Sequence, residues 1–199
     1  MDIKFFTQVF VTLLVIMDPL GNVPIFLSLT KNVAPKAQRH LALQAVLVAG
    51  AVIASFALFG QEILSYLGIS IPALQGSGGL LLLLVSLKLL TGGSEEHAQV
   101  DDVSVALVPL GTPLIAGPGA IAATIVFAKQ SHTFDRYSAI AAALVLVLIL
   151  LWVTLRYSLA LIRLLKEGGI TLLTRVFGLL LAAISVQLIA QSVQGFVKG

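Results

Sequence analysis

Met17-Asp18-Pro19-Leu20-Gly21-Asn22-Val23-Pro24 interrupts a hydrophobic stretch that runs from Phe5 to Leu29. About 20 apolar residues suffice to cross the hydrocarbon core of a bilayer, so the stretch is long enough to span. A helix does not pass undisturbed through Pro19 and Pro24, because each proline removes an amide donor and clashes with the preceding turn. Asp18 is a residue type that caps helix N-termini, and proline suits the first helical position. A half-helix is therefore predicted to begin at Pro19. Lipid cannot satisfy backbone groups freed at membrane depth, so such a break must be buried in protein or line a wet cavity.

The same device recurs in the second half of the chain as Thr112-Pro113-Leu114-Ile115-Ala116-Gly117-Pro118. Thr112 can cap, Pro113 follows it, and Pro118 repeats the spacing of Pro24 from Pro19. Two breaks at matching places in two halves point to the binding site of a transporter.

Composition agrees with a membrane setting. Of 199 residues, 58% are hydrophobic and only 11% charged, against about 25% charged in soluble domains. Mean hydropathy is +1.06. The net charge of +3 comes from twelve scattered basic residues, without the clusters and interleaved aromatics of a nucleic-acid surface. The chain has no cysteine, which excludes disulfides, thiolate metal sites and thiol-redox relays. The hydrophobic run from Phe5 to about Thr30 is too long for a cleavable signal and is read as the first span.

Six hydrophobic segments are predicted as spans, at about Phe5–Leu29, Leu41–Leu67, Pro72–Leu90, Ser104–Ala128, Tyr137–Leu161 and Thr174–Phe196. The second could end near Gly60. Short polar links separate them, the longest being the acidic Thr91–Val103. The halves repeat. Pro19 and Pro24 map onto Pro113 and Pro118 at an offset of 94, and Gly79 and Ser86 map onto Gly178 and Ser185 at an offset of 99. Three spans per half is an odd number, so the halves must lie in opposite orientations. The expectation is a single transmembrane domain over 1–199, with repeat one at 1–92 and repeat two at 104–199.

Lysine and arginine set the orientation. Lys31, Lys36, Arg39, Lys88, Arg156, Arg163, Lys166 and Arg175 fall on one side, and Lys4, Lys129, Arg136 and Lys198 on the other. Eight against four puts the first, middle and last links in the cytoplasm and both termini outside.

Asp18 is the only acidic residue well inside a hydrophobic segment. An intramembrane carboxylate is costly and marks a functional site by default. It can bind a cation, carry a proton or pair with a substrate ammonium. Helix capping competes with these readings and is compatible with them. Asn22 and Thr112 offer side-chain oxygens beside the breaks. Gly21, Gly117 and Gly119 let the backbone bend and let a ligand approach peptide groups; close helix packing is their alternative role. Free N–H groups at a half-helix N-terminus suit a carboxylate, and free carbonyls suit Na⁺ or an ammonium group. Gln187 and Gln191 lie one turn apart on span six and could face a polar cavity. His40, His97 and His132 lie in or beside links. No nucleophile elbow, phosphate loop or zinc motif appears.

The runs Met17 to Phe26 and Val108 to Ile121 resemble the two signatures of the MarC family of six-span inner-membrane proteins, and the resemblance extends over the whole chain. It implies residence in the bacterial plasma membrane, a distant relation to LysE-type amino-acid exporters, and, from some archaeal relatives, transport of small neutral amino acids such as glycine and alanine.

The expected fold is an all-α membrane protein: six transmembrane helices forming two inverted three-helix repeats, with broken helices in spans one and four. The expected function is secondary transport of small neutral amino acids. The site combines Asp18, Gly21, Asn22, Thr112, Gly117 and Gly119 at breaks made by Pro19, Pro24, Pro113 and Pro118. No catalytic residue, metal or cofactor is expected, and the chain is not read as an enzyme. Expected partners are a small-molecule substrate, a coupling H⁺ or Na⁺ and membrane lipid, with self-association open and no nucleic acid. A non-transporting membrane scaffold is the alternative.

Overall fold

The computed structural model describes residues 2–30, 33–91, 116–131 and 133–198. The acidic link, the first part of span four with Thr112 and Pro113, and His97 and His132 lie outside the described residues. Every regular element among the described residues is helical. These are α1 (Ile3–Met17), α2 (Asn22–Leu29), α3 (Pro35–Tyr66), α4 (Ile71–Thr91), α5 (Pro118–Lys129), α6 (Phe134–Arg156) and α7 (Ser158–Lys198).

Four of them are long and apolar enough to cross a membrane: α3, α4, α6 and the Gly168–Lys198 part of α7. Two shorter apolar helices, α1 with 15 residues and α5 with 12, belong to the stretches that carry the proline runs. At about 1.5 Å per residue neither alone crosses a core of about 30 Å.

Span one is thus broken, but the break is built differently from its sequence reading. Asp18 does not cap a helix that starts at Pro19. It is the C-cap of α1, its N–H bonded to the Leu14 carbonyl at 3.1 Å. The second half-helix starts at Asn22, and Pro24 sits in its first turn, where no amide donor is needed. A residue before proline is disfavoured in the right-handed helical region, and aspartate tolerates the left-handed one. The helix therefore ends at Met17.

A second difference lies between spans five and six. The basic link 162–173 is helix, and α7 runs without a break for 41 residues. No proline interrupts it, and Gly168-Gly169 costs only about 1 kcal/mol per glycine relative to alanine.

Packing follows small residues. Ala42, Ala45 and Ala49 of α3, Ala120 and Ala123 of α5, and Ala139 and Ala143 of α6 share one buried core with Val9, Leu13 and Met17 of α1. Small side chains let helix backbones approach closely where lipid supplies no hydrophobic drive. α1 packs on α6 as α5 packs on α3, and α4 packs extensively along α7. At the α4–α7 seam a Cβ on Gly79 would meet Ile189 at 2.8 Å and the Ser185 carbonyl at 2.9 Å. On the facing helix, a Cβ on Gly178 would meet Leu90 at 3.3 Å.

Four contacts define one end of the bundle. Arg136, near the start of α6, lies 3.7 Å from Asp2 and over the Phe5 ring at 5.0 Å. Phe5 in turn meets Phe127 edge-on, with centroids 5.9 Å apart. Near the C-terminus, Ser192 donates to the Pro72 carbonyl at 2.7 Å, tying the end of α7 to the start of α4.

Candidate functional site

The break in span one is a compact, internally bonded turn. Asp18 stands at φ 36°, ψ 72°, the one left-handed backbone position occupied by a residue other than glycine among the described residues. Such a conformation costs about 1–3 kcal/mol and persists where its surroundings over-determine it. Here two interactions do so. Asp18 Oδ1 accepts the Gly21 N–H at 3.0 Å. The Asn22 side chain donates to the carbonyls of Met17 and Asp18, at 2.7 and 2.9 Å. Asn22 thereby covers the C-terminal carbonyls of α1 and fixes the entry of α2.

Gly21 makes the turn sterically feasible. A Cβ there would overlap the Asp18 carboxylate itself. Asp18 and Asn22 are only 7% and 6% exposed, and Pro19 and Gly21 are buried too. Pro24 faces outward.

The turn also settles which backbone groups remain to serve a ligand. The N–H of Gly21 goes to the Asp18 side chain, that of Asn22 to the Asp18 carbonyl at 3.2 Å, and that of Val23 to the Leu20 carbonyl at 3.1 Å. Pro24 has no N–H. The start of α2 is therefore not the cluster of free donors read from the sequence. On the acceptor side, Pro19 has no N–H to give the Val15 carbonyl, so a regular helical partner for that oxygen is missing. The chemistry concentrated at this break is a carboxylate with nearby carbonyl oxygen, which suits a cation or an ammonium group.

Around the second proline run the structure describes the residues from Ala116 onward. Gly117 is the extended N-cap of α5, at φ −62°, ψ 162°, and Pro118 is the first helical residue; the start read at Thr112 and Pro113 lies outside the described residues. No side chain caps this N-terminus. Ala120 and Ile121 both donate to the Gly117 carbonyl, at 2.9 and 3.2 Å. Gly119 is buried under the Leu82 side chain of α4, and a Cβ would collide with that leucine, so its place is a packing contact. Gly117 is partly exposed and Pro118 exposed.

The break in span one and the start of α5 border one core. Met17 and Phe26, on either side of the first, belong to the same apolar cluster as Ala116 and Ala120 at the second. Of the site residues read from sequence, the structure gathers Asp18, Gly21 and Asn22 into one hydrogen-bonded unit and brings Gly117 to a helix start. It assigns Gly119 to the α4 interface.

A groove of mixed polar and apolar lining that the proline motifs did not announce lies between α1, α5 and α7. Its lining includes Gln8, Thr12, Gln130, Gln187 and Gln191. The last two carry the one-turn spacing noted on span six. Gln8 and Thr12 have the same spacing on α1, and that repeat was the available signal for them. Gln130 ends a helix and gives no such cue.

Comparison with known proteins bears on the whole chain. A family model described as MarC family integral membrane protein matches residues 3–197. A UPF0056 membrane protein of Methanocaldococcus jannaschii is 37% identical, with 98% of each chain covered. The UPF0056 membrane protein YhcE of Escherichia coli is 30% identical over 100% of this chain and 96% of its own. The UPF0056 inner membrane protein YhgN of Escherichia coli is 33% identical over 95% and 96%. No solved structure matches.

Proposed function

The chain belongs to the MarC family of integral membrane proteins, and from that premise we propose that it is a secondary transporter of small neutral amino acids such as glycine or alanine. The observation that carries the reading is the buried Asp18, held on left-handed backbone at a helix break inside an apolar stretch. Strained backbone and an intramembrane carboxylate each mark functional positions. Their coincidence in one residue is hard to account for by folding needs alone.

In this reading Asp18 and the carbonyls of the first break receive the substrate ammonium or a coupling H⁺ or Na⁺. The uncapped start of α5, with Gly117 and, five residues earlier in the sequence, Thr112, receives the substrate carboxylate, favoured by the helix dipole. The protein does no covalent chemistry, and the drive is an ion gradient or the gradient of the substrate itself.

The six spans form two inverted repeats. Helix packing supports this: the α1–α6 contact has its counterpart in α5–α3, and α4–α5 in α7–α1. One residue pair repeats as well. The sequence offset of 99 converts Gly79 into Gly178 and Leu90 into Ile189. A Cβ on Gly79 would meet Ile189, and one on Gly178 would meet Leu89 and Leu90, of which Leu90 is the image of Ile189. Residence in the plasma membrane with both termini outside completes the reading, supported by the distribution of basic residues.

Counterflow in proteoliposomes tests it. Vesicles loaded with unlabelled alanine should accumulate labelled alanine transiently, and vesicles without protein should not. Absence of counterflow for every neutral amino acid, from protein that is folded and reconstituted, would leave the scaffold alternative in its place.

A further inference from the structure

The groove between α1, α5 and α7 has a volume of about 320 Å³, at the small end of the 300–1,000 Å³ typical of ligand sites. Its polar side is built from Gln8, Thr12, Gln130, Gln187 and Gln191. Four are carboxamides and one is a hydroxyl, so every one can both donate and accept a hydrogen bond. No ionisable side chain lines the groove among the described residues. The rest of the lining is apolar and interleaved with these groups along α5 and α7; it includes Phe127 and Ile184. Behind the groove, Gln75 of α4 donates to Gln191 Oε1 at 3.2 Å and orients it.

These side chains lie on helices that pack within the membrane, where polar groups belong at a helix contact or at a wet cavity. Gln8 and Gln187 are exposed, so neither is consumed in packing. A solute with both hydrogen-bonding and apolar parts matches this mixed lining. A solute of net charge would enter a low-dielectric site with no counter-charge to offset its desolvation.

We propose that this groove is a binding site for small net-neutral amino acids bearing an apolar side chain, of the alanine-to-leucine class, on the terminus-facing side of the Asp18 break. The carboxamides hold the zwitterionic end, and Phe127 and Ile184 hold the side chain. The proposal rests on the transport reading and sharpens it, since it adds a selectivity rule: net charge is excluded here, before the solute reaches Asp18.

The natural absence of cysteine permits a direct test. Ala183 lines the groove, and Leu179, one turn earlier, is exposed on the helix surface and absent from the groove lining. Ala183→Cys and Leu179→Cys variants of the full chain, in nanodiscs open on both faces, are treated with a net-neutral, water-soluble methanethiosulfonate. Ala183→Cys should react and Leu179→Cys should not. Leucine or alanine should slow the Ala183→Cys reaction severalfold, and lysine or glutamate should leave it unchanged. Adding Gln187→Leu should remove the protection. An unreactive Ala183→Cys variant that remains folded, protection by no neutral amino acid, or equal protection by lysine and glutamate each overturns the proposal. Counterflow by the wild-type chain separates the two readings. Counterflow without protection leaves transport standing and removes the groove site, whereas protection without counterflow does the reverse.

Discussion

Asp18 and Gly21 are built around each other: the Asp18 carboxylate accepts the Gly21 N–H at 3.0 Å and occupies the space a side chain at residue 21 would need. Gly21→Ala must therefore displace the carboxylate, since the obstacle is the side chain that holds the turn. The variant should lose about 1–3 kcal/mol, the cost of a buried hydrogen bond broken with its partner left in place. Thermal unfolding in detergent should show it as a lower midpoint, with reduced transport at matched protein level. An unchanged midpoint would mean that the carboxylate has another place to go.

The left-handed backbone at Asp18 makes a separate prediction about side-chain shape. Asparagine is tolerated in the left-handed region and keeps an acceptor oxygen, so Asp18→Asn should fold with nearly wild-type stability. Valine is β-branched and strained there, so Asp18→Val should lose about 2 kcal/mol or more. Comparison of the two midpoints checks this; equal stability contradicts the backbone assignment.

The α4–α7 seam predicts opposite signs for glycine substitutions on the same pair of helices. Gly79→Leu places atoms against the Ser185 carbonyl and Ile189, and overpacking of this kind costs about 1–3 kcal/mol. Gly168 in α7 has nothing within 4 Å of its missing Cβ. Gly168→Ala should instead stabilise by about 0.5–1 kcal/mol, because alanine is the better helix former. A destabilised Gly168→Ala would mean that the continuous helix through 162–173 is not the stable form of this segment.

Orientation is testable with two exposed positions at opposite ends of the bundle, Ala37 at the start of α3 and Thr133 between α5 and α6. In intact cells, Thr133→Cys should react with an impermeant thiol reagent added outside, and Ala37→Cys should be shielded. The reverse pattern would invert the topology inferred from lysine and arginine.

The sequence carried the break in span one because proline chemistry is local: neither Pro19 nor Pro24 can stand in a helix interior without disturbing it. It did not carry the residue at which the first half-helix ends. Aspartate serves as an N-cap or in a left-handed turn with similar ease, and the Asn22 side chain, bonded back to the Met17 and Asp18 carbonyls, decides between them. The continuity of α7 was hidden by its charges, since Arg163, Lys166 and Glu167 read as a link although nothing there breaks a helix. Gly119 was ambiguous in sequence because close packing and ligand access need the same small residue; Leu82 resolves it toward packing. The groove was half legible. Its Gln187 and Gln191 show a helical spacing, but their meeting with Gln8 and Thr12 is a tertiary event with no local signature.

The central claim is that the Asp18 charge, and not only its capping geometry, serves transport. Alanine counterflow by Asp18→Asn, at matched protein level and with its unfolding midpoint measured alongside, tests it most directly. Asparagine keeps the size and the acceptor for the Gly21 N–H and removes the charge. The account predicts that counterflow falls tenfold or more, the equivalent of about 1.4 kcal/mol of lost interaction, while the midpoint barely moves. Wild-type counterflow by the Asp18→Asn variant would contradict it and leave Asp18 a structural residue of the helix break.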